Sequence, residues 1–298
     1  MLATARHTAV VLLKSSHAGP GLAVTTVAVV LGFGVGLSPD RLALVALAVW
    51  ANQLSVGISN DWLDADRDRQ VGRTDKPVAR GEITRRTARN AAFMTAAGAI
   101  LLTIPLGWAA TATHTVFIAS AWAYNLGLKR TVFSVLPYLL SFGILPVIVT
   151  LALPTPSGAA PWAIGAGALL GVAAHFANVL PDLADDRATA VRGFPHRLGQ
   201  TATVVGTWIV LGAAGVLVFL GSAGALGSRA SSATGHEVSH SGAGLTQWIG
   251  LAVTLGIAAS GTVLGFTRSP SRLAFQLIIA AALITVVLLA LAGERLLA

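Results

Sequence analysis

The chain has 298 residues, of which 54% are hydrophobic and only 11% are charged. Because soluble globular proteins carry about a quarter charged residues, this composition indicates a membrane protein and excludes an ordinary water-soluble domain. The absence of cysteine from the sequence excludes a disulfide framework, a thiolate nucleophile and a cysteine-ligated metal. A net charge of +8 would suggest nucleic-acid binding in a soluble protein. In a membrane protein, an excess of basic residues instead indicates which side of the bilayer each loop occupies.

Nine apolar runs have about the length of membrane-spanning helices, which need roughly 20 residues each. They cover residues 19–38, 41–59, 90–110, 113–128, 134–153, 161–181, 201–222, 245–266 and 273–293. We therefore predict an all-α, polytopic membrane protein with nine transmembrane helices in a bundle around a central cavity. Residues 1–298 would form a single intramembrane domain. Gly167 and Gly171 form a small-xxx-small pattern that favours close helix packing in lipid.

The basic residues are unevenly divided between the predicted loops. If the N-terminus is cytoplasmic and the chain crosses nine times, 17 of the 20 lysines and arginines lie on the cytoplasmic side. Only Arg41, Arg229 and Arg295 lie outside, as the positive-inside rule favours. We expect an integral protein of the plasma (inner) membrane, with its N-terminus and active-site loops cytoplasmic and its C-terminus outside. The first 17 residues lack the short apolar core of a removable signal peptide.

Seven of the twelve acidic residues lie in two short stretches, one after the second predicted helix and one after the sixth. In each stretch, polar residues recur at every fourth position and so share one helical face. They are Asn60, Asp64 and Asp68 in the first stretch and Asn178, Asp182 and Asp186 in the second. Like charges at this spacing repel each other, so a bound cation is expected. Because the candidate ligands are all oxygen atoms, the sites suit Mg²⁺.

The two stretches match each other at an offset of 118 residues. Six pairs of special residues then coincide, among them Pro77 with Pro195 and Gly81 with Gly199. An offset that covers four helices keeps both copies in the same orientation, which predicts a parallel internal repeat of about four helices. The halves would cover about 19–130 and 134–266, followed by the last helix at 273–293. The two acidic helix ends would face each other across the central cavity.

Basic residues follow both acidic stretches and also close the fourth predicted helix. Guanidinium and ammonium groups beside metal-binding carboxylates form a site for a highly charged anion such as diphosphate. The candidates are Arg73, Lys76, Arg80, Lys129, Arg130 and Arg192, with Arg187 and Arg197 near the last of them. Orientation in the membrane is the alternative explanation, and we favour it for Arg85, Arg86, Arg89, Arg268 and Arg272.

These motifs resemble those of the UbiA superfamily of intramembrane prenyltransferases. The first family motif, N-D-x-x-D-x-x-x-D, is matched by Asn60, Asp61, Asp64 and Asp68, and the second, D-x-x-x-D, by Asp182 and Asp186. The segments from Arg73 to Gly81 and from Tyr124 to Arg130 also resemble family segments. Nine helices with a cytoplasmic N-terminus fit the family topology, so the resemblance covers most of the chain.

The resemblance implies a prenyltransferase that moves a prenyl group from an isoprenyl diphosphate to an acceptor, usually aromatic or quinone-like, with Mg²⁺ as the cofactor. It adds Asp61 to the metal ligands Asn60, Asp64, Asp68, Asp182 and Asp186. The catalytic residues would be Asp64, Asp68, Asp182 and Asp186. Isoprenyl diphosphate, the acceptor and the lipid bilayer would be the partners, and no nucleic acid is expected.

Polar and aromatic side chains within or near the predicted helices are candidates for an acceptor and carbocation pocket. They are Asn52, His175, Asn178, Tyr124 and Tyr138. Polar groups inside a span more often face the protein than lipid, but they also serve to join helices. Lys14 and His17 lie at the entrance to the first predicted helix, where anchoring at the membrane interface is the favoured explanation.

Two other functions compete with prenyl transfer. A membrane terpene cyclase of the same superfamily would ionise the diphosphate without a second substrate. A transporter built on a parallel repeat is less favoured, because transporter sites usually lie near the bilayer midplane and these acidic clusters lie at helix ends. The H-E-x-x-H sequence from His236 to His240 is not taken as a zinc site, because its Gly- and Ser-rich surroundings do not favour a helix.

Overall fold

A computed structural model describes residues 2–180, 183, 191–226, 244–267 and 272–298. Within these ranges the chain is helical, and the only strand-like pairing is one bridge between Ala159 and Leu297. The α-helices are α1 (Leu2–Ser15), α2 (Ala18–Gly34), α3 (Pro39–Gln70), α4 (Pro77–Arg80), α5 (Arg85–Thr103), α6 (Trp108–Leu126), α7 (Leu136–Leu151), α8 (Pro161–Val179), α9 (Phe194–Leu198), α10 (Gln200–Ser222), α11 (Leu245–Thr267) and α12 (Arg272–Leu291). The prediction of an all-α polytopic membrane protein is confirmed.

Each of the nine predicted apolar runs overlaps one of the long helices. Six helices of the described chain are long and apolar enough to cross a membrane, or seven if the bent pair of α1 and α2 counts as one span. The axes of that pair meet at 76°. The helix positions are therefore confirmed, and nine crossings stay a prediction.

One predicted boundary was wrong. The connection expected around Ala112 to His114 lies instead at Ile104–Leu106, which forms a 3₁₀ turn between α5 and α6. Pro105 cannot donate a backbone hydrogen bond, and Gly107 has a φ of 113°, a value that favours glycine. The helix therefore breaks at these two residues although the hydropathy continues across them.

Helix α3 continues for eleven residues beyond the apolar run that ends at residue 59 and stops at Gln70, so the acidic motif is helical, as its spacing predicted. It has 32 residues and a length of about 48 Å, which exceeds the roughly 30 Å apolar core of a bilayer. Arg67 and Arg69 pair with acidic residues three positions earlier, which supports the polar turns as a helix. The first acidic motif is therefore carried by a rigid extension of an apolar helix.

The long helices form a closed circuit of packing contacts. It runs through α2, α3, α6, α7, α8, α10 and α12 and returns to α2. Helix α5 packs on α3 and α6, and α11 packs on α10 and α12.

Glycines allow close approach at some of the helix crossings. A Cβ atom on Gly167 or Gly171 would lie 2.4 Å from Phe142 O or 2.3 Å from Tyr138 O, so the predicted close packing of this pair is confirmed.

The two halves of the chain have the same order of helices at the offset of 118 residues. Adding the offset carries α2 to α7, α4 to α9 and α5 to α10 within a few residues, and it carries the start of α3 to within four residues of the start of α8. The short helices α4 and α9 each have proline in the first turn, and each ends at a glycine of positive φ, Gly81 at 76° and Gly199 at 81°. The matched residues therefore form matched local structures after each acidic motif.

Candidate active site at the acidic end of helix α3

The acidic face of α3 is buried. Asp61, Asp64 and Asp68 are at most 2% exposed. Ionised carboxylates removed from water need charged or hydrogen-bonding partners to offset the loss of hydration. The partners come from three segments that are distant in sequence: the α1–α2 corner, the α3–α4 loop and the end of α6.

Asp64 forms an ion pair with Lys129, whose side chain is only 6% exposed. Lys129 lies in the 3₁₀ turn Leu128–Arg130 that follows α6. Burial lowers the pKa of Lys129, and the carboxylate of Asp64 acts in the opposite direction. Arg67 Nη2 lies 3.5 Å from Asp64 Oδ2 and 3.4 Å from Asp68 Oδ1. Two cations therefore neutralise this part of the acidic motif.

Asn60 joins the acidic face to α6. Its Nδ2 donates to Asp64 Oδ2 at 3.1 Å and to Asn125 Oδ1 at 3.4 Å. Asn125 Nδ2 in turn donates to Val56 O at 2.8 Å and Ser59 Oγ at 2.9 Å. Asn125 was missed by the sequence analysis, although it precedes Lys129 by four residues within the segment that resembles the family.

Lys76 approaches Asn60 from the α3–α4 loop. Its Nζ donates to Asn60 Oδ1 at 3.3 Å and lies 2.7 Å from His17 Nε2. Because an ammonium group only donates, Nε2 of His17 is the acceptor. His17 has a left-handed φ of 50° in the corner between α1 and α2. The ring of His17 is therefore directed at a lysine of the candidate site, and anchoring at the membrane interface stays a prediction.

Asp61 and Arg69 hold the short helix α4 against α3. Asp61 Oδ2 accepts from the Val78 backbone N–H at 3.3 Å, and Arg69 Nε donates to Ala79 O at 3.1 Å. Asp61 therefore faces the α4 backbone, while its Oδ1 is buried and has no hydrogen-bond partner among the described residues. These contacts fix the position of the preceding residue, Lys76.

The predicted diphosphate-binding residues divide into two groups. Lys76 and Lys129 are buried at the acidic motif, whereas the side chains of four arginines, called the rim arginines below, are exposed or partly exposed: Arg73, Arg80, Arg130 and Arg192. Arg73 forms two contacts with Asp75, at 2.8 Å and 2.9 Å, and its hydrogen bonding holds the pKa of that carboxyl well below its usual range. Arg80 lies 3.0 Å from Glu82. These two arginines therefore have acidic partners in their own loop.

Four of the five predicted pocket residues meet beside this site. The ring centroids of Tyr124, Tyr138 and His175 are separated by 5.2 Å for the two tyrosines, 5.7 Å for Tyr124 and His175, and 4.9 Å for Tyr138 and His175. Asn178 Nδ2 donates to the Tyr138 hydroxyl at 3.4 Å. Asn52 is buried on α3, and in the part of the chain that the structure describes its amide has no hydrogen-bond partner.

A serine that the sequence analysis missed supports the aromatic cluster. Ser134 Oγ lies 3.0 Å from His175 Nε2 and accepts from the Phe194 backbone N–H at 2.8 Å. Gly193 allows this approach, since a Cβ there would lie 2.7 Å from Lys129 O and 2.8 Å from Ser134 Oγ. The segment before α9 is therefore packed on the segment that carries Lys129.

Several predicted residues lie outside the described ranges. They are Asp182 and Asp186 of the second motif, together with Arg187, Arg268 and the H-E-x-x-H sequence at 236–240. Within the described ranges, no group of three or more histidine and acidic side chains could hold a metal ion. The first motif thus presents Asn60, Asp64 and Asp68, and the opposite half of the predicted site stays a prediction.

The whole chain is similar in fold to solved membrane proteins. A UbiA homologue from Archaeoglobus fulgidus, bound to GPP and Mg²⁺, has a TM-score of 0.69 and 14% identity, covering 96% of this chain and 99% of that one. The apo form of a UbiA homologue from Aeropyrum pernix has a TM-score of 0.64 and 20% identity, covering 89% and 94%. A digeranylgeranylglyceryl phosphate synthase has a TM-score of 0.65 and 13% identity, covering 96% and 97%.

No curated protein sequence is similar enough to this chain to count as a relative. The model of the UbiA prenyltransferase family matches residues 21–235, a range that includes both acidic motifs and the segments of Lys76 and Lys129. That match spans most of the chain, and the helical architecture and the buried acidic face agree with it. The chain therefore belongs to the UbiA prenyltransferase family and is an integral membrane prenyltransferase.

Proposed function

We propose that the chain transfers a prenyl group from an isoprenyl diphosphate to an aromatic or quinone-precursor acceptor within the membrane, with Mg²⁺ as the cofactor. The observation that carries the proposal is the meeting of two buried lysines, Lys76 and Lys129, with the oxygen ligands Asn60 and Asp64. Homologues of the same fold bound to GPP or DMAPP with Mg²⁺ support the choice of substrate and metal.

The donor set of the first motif fits Mg²⁺. Asn60, Asp64 and Asp68 offer amide and carboxylate oxygens, which this ion prefers, and in the part of the chain that the structure describes Asp68 Oδ2 is buried without a hydrogen-bond partner. We propose these residues as ligands together with Asp182 and Asp186, and Asp61 as a further ligand through its unpaired Oδ1. When bound, Mg²⁺ neutralises diphosphate oxygens and makes the group a better leaving group.

The lysines have a direct role in this chemistry. When the carbon–oxygen bond of the allylic diphosphate breaks, its electron pair leaves with the diphosphate and negative charge grows there. Lys76 and Lys129 offer fixed ammonium donors at that position, and buried donors stabilise developing charge more strongly than donors in water. The rim arginines Arg73, Arg80, Arg130 and Arg192 would draw the anion from solution to the site.

The aromatic cluster beside Lys129 is suited to the second half of the reaction. The π faces of Tyr124 and Tyr138 stabilise a nearby cation, and His175 and Asn178 supply polar atoms for the acceptor. The acceptor carbon would form the new carbon–carbon bond and then lose its proton. Burial of the prenyl chain among apolar helices keeps water from the cation.

The orientation also belongs to the proposal. We infer that the N-terminus and the acidic ends of α3 and α8 face the cytoplasm at the plasma membrane, with the C-terminus outside. The bias of the basic residues supports this orientation.

The test is a product assay with the purified protein in lipid nanodiscs. Prenyl diphosphates of several chain lengths would be combined with para-hydroxybenzoate, with dihydroxynaphthoate or with no acceptor, with and without Mg²⁺, and the products identified by mass spectrometry. We expect a prenylated aromatic product that requires Mg²⁺. Hydrocarbon or alcohol from the diphosphate alone would indicate a terpene cyclase, and neither consumption nor binding of any diphosphate would contradict both enzymatic functions.

A further inference from the structure

We propose that His175 is held in one tautomer, with its proton on Nδ1, and that this N–H donates a hydrogen bond to an oxygen atom of the acceptor. His175 would then select acceptors by the hydrogen-bonding capacity of that oxygen. The inference rests on the proposed function, because it assigns a ligand to the aromatic cluster, and it goes further by naming the atom that recognises it.

The tautomer follows from the bonding of Ser134. Its Oγ accepts from the Phe194 backbone N–H at 2.8 Å, a bond whose direction is fixed. The hydroxyl proton is then free to donate to His175 Nε2, which lies 3.0 Å away. If Nε2 carried a proton instead, the serine oxygen would accept twice and its own proton would have no partner. Because unpaired buried donors are costly, the arrangement favours a bare Nε2 and a protonated Nδ1.

The Nδ1 atom is the unsatisfied position of this network. His175 is 1% exposed, and among the described residues its Nδ1 has no hydrogen-bond partner. Nearly all buried polar groups in proteins are hydrogen-bonded, so an orphan donor of this kind calls for a ligand or an ordered water. The same bonding argument excludes an imidazolium, since that form would also place a proton on Nε2.

The location of the ring points to the acceptor as this ligand. His175 contacts Tyr124 and Tyr138, and Tyr124 and Ser134 bracket Lys129 in sequence by five residues on either side. Asn178 lies one turn further along α8, toward the second acidic motif. The unpaired donor therefore lies among aromatic rings close to the residues proposed to bind diphosphate. A planar acceptor carrying a phenolic or carbonyl oxygen has the chemistry to pair with it.

Two variants distinguish the roles of the two ring nitrogens, because each keeps a polar atom at only one of the two positions. In His175→Asn the amide nitrogen can take the place of Nδ1–H, whereas in His175→Gln the amide reaches the Nε2 position and keeps the contact with Ser134. With the aromatic acceptor of the panel that the wild type prenylates, we expect His175→Gln to raise the acceptor KM roughly tenfold, the effect of losing one buried hydrogen bond. We expect the acceptor KM of His175→Asn to stay within about threefold of the wild-type value.

The controls separate recognition from packing and from ionisation. The KM for prenyl diphosphate should not change in either variant, and the thermal midpoint of His175→Gln should match that of wild type because the Ser134 contact is kept. A wild-type acceptor KM in His175→Gln would overturn the inference while leaving the proposed function intact. An equal loss in both variants would also overturn it, since it would indicate a role in packing.

The tautomer can be read without any substrate. Protein labelled with ¹⁵N-histidine in nanodiscs would give ring correlation spectra, and the difference between wild type and His175→Asn isolates His175 from the other six histidines. We expect a protonated Nδ1 and an unprotonated Nε2. A protonated Nε2 would overturn the inference directly. If no aromatic acceptor of the panel is prenylated at all, the proposed function fails, and the spectrum still decides the tautomer.

Discussion

Lys129 and Asp64 form a charged pair that is almost wholly removed from water. Such a pair contributes little net stability, because desolvation of both charges offsets their attraction, but loss of one partner leaves a buried charge and costs about 3–5 kcal/mol. A prenyltransferase has a physical reason to keep the pair. In the function that we propose, the carboxylate serves as a metal ligand and the ammonium as a diphosphate donor, so each would neutralise the other until the substrate binds.

The first prediction concerns this pair. Lys129→Met should lower kcat by roughly 100-fold or more, because one fixed donor to the leaving diphosphate is lost. Lys129→Arg keeps the charge and should retain much more activity. The exposed Arg86 on α5 supplies the control, since Arg86→Ala should have the kcat of wild type. Steady-state rates of diphosphate release would measure the effect, and equal rates for Lys129→Met and wild type would contradict the assigned role.

The second prediction concerns the two acidic motifs. Asp64→Ala and Asp182→Ala should each abolish measurable turnover, because each removes a carboxylate that we propose as a Mg²⁺ ligand. Diphosphate release and prenylated product would both be measured over a range of Mg²⁺ concentrations. Arg268→Ala should alter yield or membrane insertion without a change in turnover per molecule. Normal turnover in both aspartate variants would rule out the metal site.

Asn125 supports the motif from α6 without being part of it. Asn125→Ala should weaken the apparent affinity for Mg²⁺ by roughly 10–100-fold, the usual effect of removing a group that orients a metal ligand. Asn90, which is exposed on α5, is the matched control, and Asn90→Ala should leave the Mg²⁺ dependence unchanged. Titration of activity with Mg²⁺ measures both variants. If the activity of Asn125→Ala depended on Mg²⁺ concentration in the same way as that of wild type, Asn125 would not position Asn60.

At the scale of elements, the corner between α1 and α2 positions Lys76. The corner can reach α3 because residue 57 is glycine, and a Cβ there would lie 2.0 Å from Ser16 O. His17 follows directly and accepts a hydrogen bond from Lys76. His17, which has a left-handed conformation at the 76° bend between the two helices, therefore connects this bend to the candidate site.

A test of this corner uses a pair of glycines. Gly57→Ala should push the corner away from α3, at a cost of about 1–3 kcal/mol in stability from overpacking, and should raise the KM for prenyl diphosphate. Gly98→Ala is the control, because a Cβ on Gly98 meets nothing within 4 Å, and alanine there should be neutral or slightly stabilising. Thermal unfolding in detergent and substrate kinetics report the two effects. Equal stability of the two variants would contradict the tight packing at Gly57.

At the scale of the whole molecule, the closed circuit of helices brings the ends of α3, α6 and α8 to one side of the protein. Asp64 lies at the end of α3, Lys129 follows α6, and Asn178 lies at the end of α8. The first acidic motif lies at the end of α3, and the second follows the end of α8 in the sequence. We infer that this common side is cytoplasmic.

The natural absence of cysteine allows a direct test of that orientation. Single variants Arg86→Cys and Thr155→Cys place one thiol near the start of α5 and one in the loop between α7 and α8. In intact cells, a membrane-impermeant maleimide should label Thr155→Cys, and Arg86→Cys should react only after the membrane is permeabilised. The reverse pattern would invert the proposed topology.

The positions of the helices and the register of the first acidic motif were predictable from the sequence. Both depend on local properties, since hydropathy and the period of 3.6 residues act within one segment. The break at residues 104–107 was misplaced because Pro105 and Gly107 interrupt a run that is apolar throughout. The spacing of the acidic motif correctly predicted that it is helical, and the ion pairs of Arg67 and Arg69 explain why α3 continues beyond its apolar run.

The identity of the partners inside the site was decided only by the tertiary structure. Sequence placed eight basic residues near the acidic motifs, and packing buried Lys76 and Lys129 against the first motif while Arg73 and Arg80 met acids of their own loop. Lys129 and Asp64 are 65 residues apart, and His175 and Ser134 are 41 apart. Such pairs depend on how closely whole helices approach, which glycines such as Gly57 and Gly193 set at single points of contact. A local pattern such as that of Gly167 and Gly171 predicts close packing but not which helix is the partner, because the partner results from the simultaneous packing of all the helices.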